Sequence, residues 1–222
     1  MKTQKTSFVV ITTIIVLLVF VGGPTPQNTY AKSVDLTNGN EKRTEVAVLR
    51  NLKTNERMKL PVKKYKVKDT SIVHYEVFVP SSILNSESHT RWDSTAGVSL
   101  TITQYYNEHL VYPYSVSLTS SSAKWAKTDN TISITNAYVK SAVYGYPEGG
   151  GAVVQGEETN YIGIPSLNTW YYQYPSWSGT YVIINDISYQ ASQAGSRLVR
   201  GGTSWDLSFC VAQGGGDVIF CE

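Results

Sequence analysis

Apolar residues alternate with serine or threonine through the middle of the chain. Val98, Leu100 and Ile102 alternate with Ser99, Thr101 and Thr103; Val116 and Leu118 with Ser115, Ser117 and Thr119; Ile132 and Ile134 with Thr131, Ser133 and Thr135. A period of two marks a β-strand with one buried face and one wet face. Residues 138–144 read as a fourth strand of this central run. Upstream, Val73, Tyr75, Val77 and Val79 alternate in a strand that Pro80 ends, and a possible helical turn follows at 81–85. Residues 45–50 and 57–62 read as two strands joined by a turn at 53–56; a short helix over 45–52 competes, because Val46, Leu49 and Leu52 recur every third position. Valine-rich composition favours the hairpin.

The second half repeats these signals. Strands are expected at 170–174, 180–184 and 187–189, and a hairpin at 196–209 turns on Gly201-Gly202. In it, Leu198, Trp205, Leu207 and Phe209 face the core. Trp92 and Trp125 are expected core anchors, and the glycine-rich stretch 146–160 is expected to be a mobile loop. No segment carries a helical stripe longer than two turns. Many short strands separated by turns predict an all-β fold: an antiparallel β-sandwich, or a flattened barrel, with an N-terminal β-hairpin arm.

The first 31 residues change the picture from fold to destination. Lys2 and Lys5 precede an apolar run of 14 residues, Phe8 to Val21, broken only by Thr12 and Thr13. That suits the hydrophobic region of an export signal, roughly 7–15 residues, and is short of the roughly 20 that span a bilayer. Thr29-Tyr30-Ala31 offers a cleavage site, and cutting there leaves 191 of the 222 residues; an uncleaved anchor is the alternative. The expected organisation is a signal peptide at 1–31, a partly disordered basic arm at 32–69 and the sandwich at 70–222. The expected destination is outside the cell, with retention on the cell wall as a further option. No second apolar run is long enough to cross a membrane as a helix.

Charge divides the remaining chain. Residues 32–69 hold 11 Lys/Arg against 5 Asp/Glu, and residues 70–222 hold 6 against 12. The basic segment, with Lys63, Lys64, Lys66 and Lys68, either offsets the acidic body or meets an anionic surface such as a wall polymer or lipid head groups. An exported chain with an acidic body is a poor match for nucleic acid. Cys210 and Cys221 flank a Gly214-Gly215-Gly216 turn. A hairpin centred there would set them opposite each other, and an oxidising destination would join them in a cross-strand disulfide. Zinc is the weaker alternative, because no histidine lies nearby.

The order Trp92-Asp93-Ser94, a Val-x-Leu-x-Ile strand, Tyr105-Tyr106, Trp125, an Ile-Ser-Ile-Thr-Asn strand, Tyr144-Gly145 and a closing 197–209 hairpin resembles small exported proteins of Gram-positive bacteria with no assigned activity. The resemblance covers roughly residues 92–209. It implies export and a β-sandwich and brings no catalytic residues.

Catalytic signatures are absent from the sequence. His74, His89 and His109 are far apart and sit in no zinc-binding spacing. No Gly-x-Ser-x-Gly elbow occurs, and Asp93-Ser94-Thr95 lacks the following glycine and second copy of an aspartic-protease loop. Glu108, Asp129, Glu157, Glu158 and Asp186 could serve glycoside hydrolysis by type alone. No EF-hand spacing supports calcium, and no cofactor is expected. The most distinctive composition is aromatic: Tyr161, Trp170, Tyr171, Tyr172, Tyr174, Trp177 and Tyr181 fall within 21 residues. On a strand, Trp170, Tyr172 and Tyr174 share one face and Tyr171 takes the other. Rings left at the surface suit stacking on sugars. The expected function is therefore a non-enzymatic exported binding module for a glycan, wall polymer or protein, with Trp170, Tyr172, Tyr174 and Trp177 as its ligand-binding residues. A membrane-active pore former is the alternative, because Ser/Thr-alternating strands also suit membrane hairpins. An extracellular hydrolase comes third.

Overall fold

The computed structural model describes residues 43–68, 72–84 and 97–215. The expected signal peptide, Trp92, His89 and Cys221 lie outside them. Twelve strands form two antiparallel sheets: β1 Arg43–Asn51, β2 Arg57–Lys59, β3 Val62–Lys66, β4 Val73–Pro80, β5 Gly97–His109, β6 Ser115–Lys127, β7 Ser133–Gly145, β8 Val154–Gly163, β9 Trp170–Gln173, β10 Val182–Ile183, β11 Tyr189–Arg200 and β12 Thr203–Gly214. Sheet one runs β2-β1-β12-β11-β7-β8, and sheet two runs β10-β6-β5-β4-β3, with β9 also paired to β6. The sheets stack as a sandwich and do not close into a barrel. The 43–66 segment forms the predicted hairpin and joins both sheets: β1 pairs with β12, and β3 pairs with β4. Among the described residues no helix is long and apolar enough to cross a membrane.

Half of the space between the sheets is apolar. Trp125, Leu100, Val77, Leu49, Leu198, Leu207 and Phe209 are buried together there, as the alternation in their strands requires. Trp125 is fully buried, and its indole N–H donates to Ser196 Oγ. The other half is polar. Ser121 bonds the hydroxyls of Ser141 and Ser192 at 2.7 and 2.6 Å, and Gln104 donates to the carbonyl of Val211. Gln190 reaches across from β11 to the edge of β6. Strands β10 and β9 cover that edge at 115–116 and 121–124 and leave a gap between. In the gap, the Gln190 amide accepts from the N–H of Leu118 and donates to the carbonyl of Val116.

Several strands are longer than the sequence pattern predicts. β5, β6 and β7 each span 13 residues. The expected strands at 131–135 and 138–144 are one strand, because Asn136 adopts φ 51° and the register with β11 shifts there: a bulge, not a turn. The expected loop at 146–160 is irregular only to about residue 153, and β8 takes up the rest. The predicted wet face of β6 is also a correction. Of Ser115, Ser117 and Thr119, expected in water, the two serines are fully buried and Thr119 is partly buried. Loops cross the outer side of β6, where Gly179 donates to Ser117 and Glu148 accepts from Ser115.

The C-terminal hairpin is corrected as well. β12 lies inside sheet one, with Cys210 paired to Val46 on one side and to Gln193 on the other. Both edges stay filled through Gln213, so no returning strand fits beside Cys210 in the sheet. Cys210 is fully buried on the outer face among Ala142, Ala191 and Ala212, and no cysteine among the described residues is free. The predicted partner, Cys221, lies outside the described residues.

Two measurements follow from this architecture. Gln190→Leu keeps the side chain's bulk but strands two backbone groups in the β6 gap. At roughly 1–3 kcal/mol for each buried unpaired group, it should lower unfolding free energy by about 3 kcal/mol in urea titration. Asp129 accepts from Thr131 and pairs with Arg200 at 3.0 Å, which holds its carboxyl down at about 2. A depressed carboxyl contributes stability that is fully present above its unfolded pKa of roughly 4 and is lost as pH falls through the folded value. Asp129→Asn should therefore lower the urea midpoint at pH 6, and the gap to wild type should close between about pH 4 and pH 2.

Candidate ligand-binding face

The outer face of sheet two follows from the same alternation. With Tyr75, Ile102, Ala123 and Tyr171 turned inward, the next register positions turn outward. Tyr65, His74, Thr103, Ser122 and Tyr172 form one outward row across β3, β4, β5, β6 and β9, and Lys63, Glu76, Thr101, Lys124 and Trp170 form the next. Tyr171 meets the Trp125 ring edge-on at 6.1 Å, so the predicted division of β9 into two faces is observed.

The rings on this face are organised. His74 stacks on Trp170 with centroids 5.2 Å apart and planes 23° apart, and Tyr65 meets His74 edge-on at 5.3 Å. The Lys124 ammonium lies 4.8 Å from the Trp170 ring centroid. Tyr172 stacks on Tyr174 at 5.9 Å and 14°, with Tyr105 tilted beside it at 6.3 Å. Tyr174 is 68 % and Tyr172 38 % exposed, and Trp170 is half-buried. Between the rings lies a hydroxyl floor. Thr103 and Ser122 are fully buried, Thr103 Oγ1 lies 2.5 Å from His74 Nδ1, and Ser122 Oγ has no hydrogen-bond partner among the described residues. Burial, and secondarily Lys124, lower the His74 pKa, which favours the neutral ring. Burial, and then Tyr105, raise the Tyr172 pKa, so its hydroxyl remains a donor.

The platform is tethered to sheet one. Asn160 of β8 donates to the Tyr172 carbonyl at 2.9 Å. Glu158 accepts from Gln173 Nε2 at 3.1 Å and from the Ser176 N–H at 3.0 Å. Trp177 departs from the expectation. Its half-buried ring lies against Gly156 of β8 and takes no part in the ring contacts above; a Cβ at 156 would come within 2.8 Å of the ring. Trp177 anchors the loop that carries Tyr174. The sequence reading missed His74, Tyr65, Tyr105, Thr103 and Ser122. The signal was their outward parity in strands already recognised, and what was lacking was the strand order.

The candidate carboxylates do not converge. Glu108 pairs with Arg43, Asp129 with Arg200 and Glu157 with Lys140, Glu158 holds the platform, and Asp186 sits in the turn before β11. His109 stacks on Tyr181 at 3.7 Å, and its Nδ1 lies 2.7 Å from Glu148 Oε2. Ser115 Oγ donates to that same oxygen at 2.9 Å, so this hydroxyl is bound to the acid and not to the imidazole. The hydrogen bonds from His109 and Ser115 lower the Glu148 pKa. No group of three or more His, Cys, Asp or Glu among the described residues could hold a metal ion.

No protein-family model matches the chain, and no curated protein or solved structure is significantly similar to it.

The tether makes a prediction of its own. Gly156→Ala puts a methyl group 2.8 Å from the Trp177 ring, and overpacking of this kind costs about 1–3 kcal/mol. Thermal unfolding should show that loss, and Trp177 fluorescence should shift as the ring leaves its seat.

Proposed function

We propose that the protein is an exported, non-enzymatic binding module, and that the outer face of sheet two docks a glycan or glycan-bearing wall polymer. The observation that carries this reading is the pair of stacked, solvent-facing Tyr172 and Tyr174 rings, continued by Trp170 and His74 over a floor of buried hydroxyls. A pyranose presents an apolar C–H face and a rim of hydroxyls. Flat rings match the first, and the Tyr172 hydroxyl and the Lys124 ammonium match the second. Most of the face is preformed, because every ring but Tyr174 is carried on a paired strand, so little side-chain entropy remains to be lost on binding.

The basic residues fit the same reading. Lys63 and Lys66 lie on β3, the edge strand beside Tyr65 and His74, and Lys63 Nζ lies 6.0 Å from the Tyr65 ring. Lysines on an edge strand also discourage edge-to-edge aggregation. They would add long-range attraction to an anionic polymer, while the rings supply contact.

The test is co-sedimentation of the mature protein with isolated bacterial cell walls and insoluble polysaccharides across a salt series. Wild type should pellet, and pelleting should survive salt that screens exposed charges. Tyr172→Ala and Tyr174→Ala should each weaken it about fivefold to a hundredfold, since an aromatic stack is worth roughly 1–3 kcal/mol. Lys63→Ala should change only the low-salt arm. Pelleting that ignores the tyrosine substitutions, or that disappears in modest salt, would refute the stacking site.

A further inference from the structure

The end of the sandwich beyond the β5–β6 turn carries apolar residues that neither the core nor the aromatic face uses. Leu110, Val111 and Tyr112 follow one another in that turn and are 77 %, 80 % and 90 % exposed. Two further loops reach the same end. Tyr146, 51 % exposed, accepts from the N–H of Ile183, and Ile184 donates to the carbonyl of Tyr114. Ile187, 64 % exposed, lies in the turn that Asn185 closes. Three loops thus present five large apolar side chains at one end, on a base fixed by paired strands and by the His109–Glu148–Ser115 cluster.

We infer that this end is a membrane-contacting tip that inserts Leu110, Val111 and Tyr112 into the interfacial zone of an uncharged, zwitterionic bilayer. Shape is the first reason. Three consecutive residues exposed to this degree form a convex projection, which a fluid lipid surface can take up along its whole length. Residue type is the second. Aliphatic side chains suit the acyl boundary, and the rings of Tyr112 and Tyr146, apolar with a polar tip, suit the head-group level. Charge is the third and fixes the kind of lipid. The segments 107–114, 144–149 and 184–189 contain no lysine or arginine; of their acids, Glu108 is paired with Arg43, Glu148 is bound by His109 and Ser115, and Asp186 completes the set. Anionic lipid is drawn to clusters of lysine and arginine, which these segments lack, so an uncharged surface such as phosphatidylcholine is the better match.

The tip and the aromatic face lie on different parts of the molecule, so the two readings stand or fall separately. The experiment is flotation of the mature protein with phosphatidylcholine vesicles, with and without phosphatidylglycerol. Wild type should float with the neutral vesicles, and added phosphatidylglycerol should not raise the floated fraction. Leu110→Asp combined with Val111→Asp replaces only exposed side chains, so the fold should persist by circular dichroism. From the apolar area of two aliphatic side chains, flotation should fall at least about tenfold. Tyr172→Ala with Tyr174→Ala should float as wild type does. The inference fails if wild type stays at the bottom of the gradient, if the tip variant floats equally, or if flotation requires phosphatidylglycerol. It fails too if sedimentation velocity shows a wild-type dimer that the tip substitutions dissolve, because the apolar end would then join copies of the chain.

Discussion

One side-chain amide fills the gap on which the closure of this sandwich depends. β6 is the longest edge of sheet two, and its two short partners, β10 and β9, leave its backbone uncovered between them. Buried backbone groups must be paired, and no strand among the described residues pairs these. Gln190 of the opposite sheet does so with both ends of its amide, as a peptide group of a neighbouring strand would. The contact stitches β11 to β6 and fixes the register of one sheet over the other. Ser121, between Ser141 and Ser192, repeats the stitch further along. An apolar contact would tolerate sliding; directional bonds to single carbonyls and hydroxyls do not.

That registration positions β9. The short strand adds to the free edge of β6 beyond the gap, while Glu158 and Asn160 reach it from sheet one. Tyr171 then falls onto Trp125, and Trp170 and Tyr172 are left outside. The aromatic face is therefore a consequence of the same construction that packs the core. Rings from β3, β4, β5 and β9 meet because the strands between them are in fixed order, and their polar floor is buried because the rings cover it.

Strand existence and face assignment were legible in the sequence. The inward positions of Tyr75, Val77, Val79, Leu198, Trp205, Leu207 and Phe209 follow from alternation, and so does the opposite facing of Tyr171 and its neighbours. Strand lengths were less legible. Asn136 and the change of residue type after Thr103 look like breaks, yet pairing with β11 and β6 carries the strands through them. Half of the binding face was hidden too. Tyr65 and His74 precede Trp170 by about a hundred positions, and no local pattern announces that β3 and β4 lie on the same sheet as β9.

The sequence by itself determined an all-β chain, its turn at Gly201-Gly202 and which residues of each strand share a side. These depend on a two-residue period that each segment carries within itself. Tertiary structure decided which sides meet. It buried the serines of β6 that alternation alone would leave in water, because loops from distant parts of the chain cross that face. It placed β12 between β1 and β11, which rules out an in-sheet hairpin at Cys210. It also separated Trp177 from the rings beside it in sequence and seated it on Gly156. Strand order is set by long-range pairing and by the few polar groups that must find partners between the sheets, and neither leaves a periodic trace along the chain.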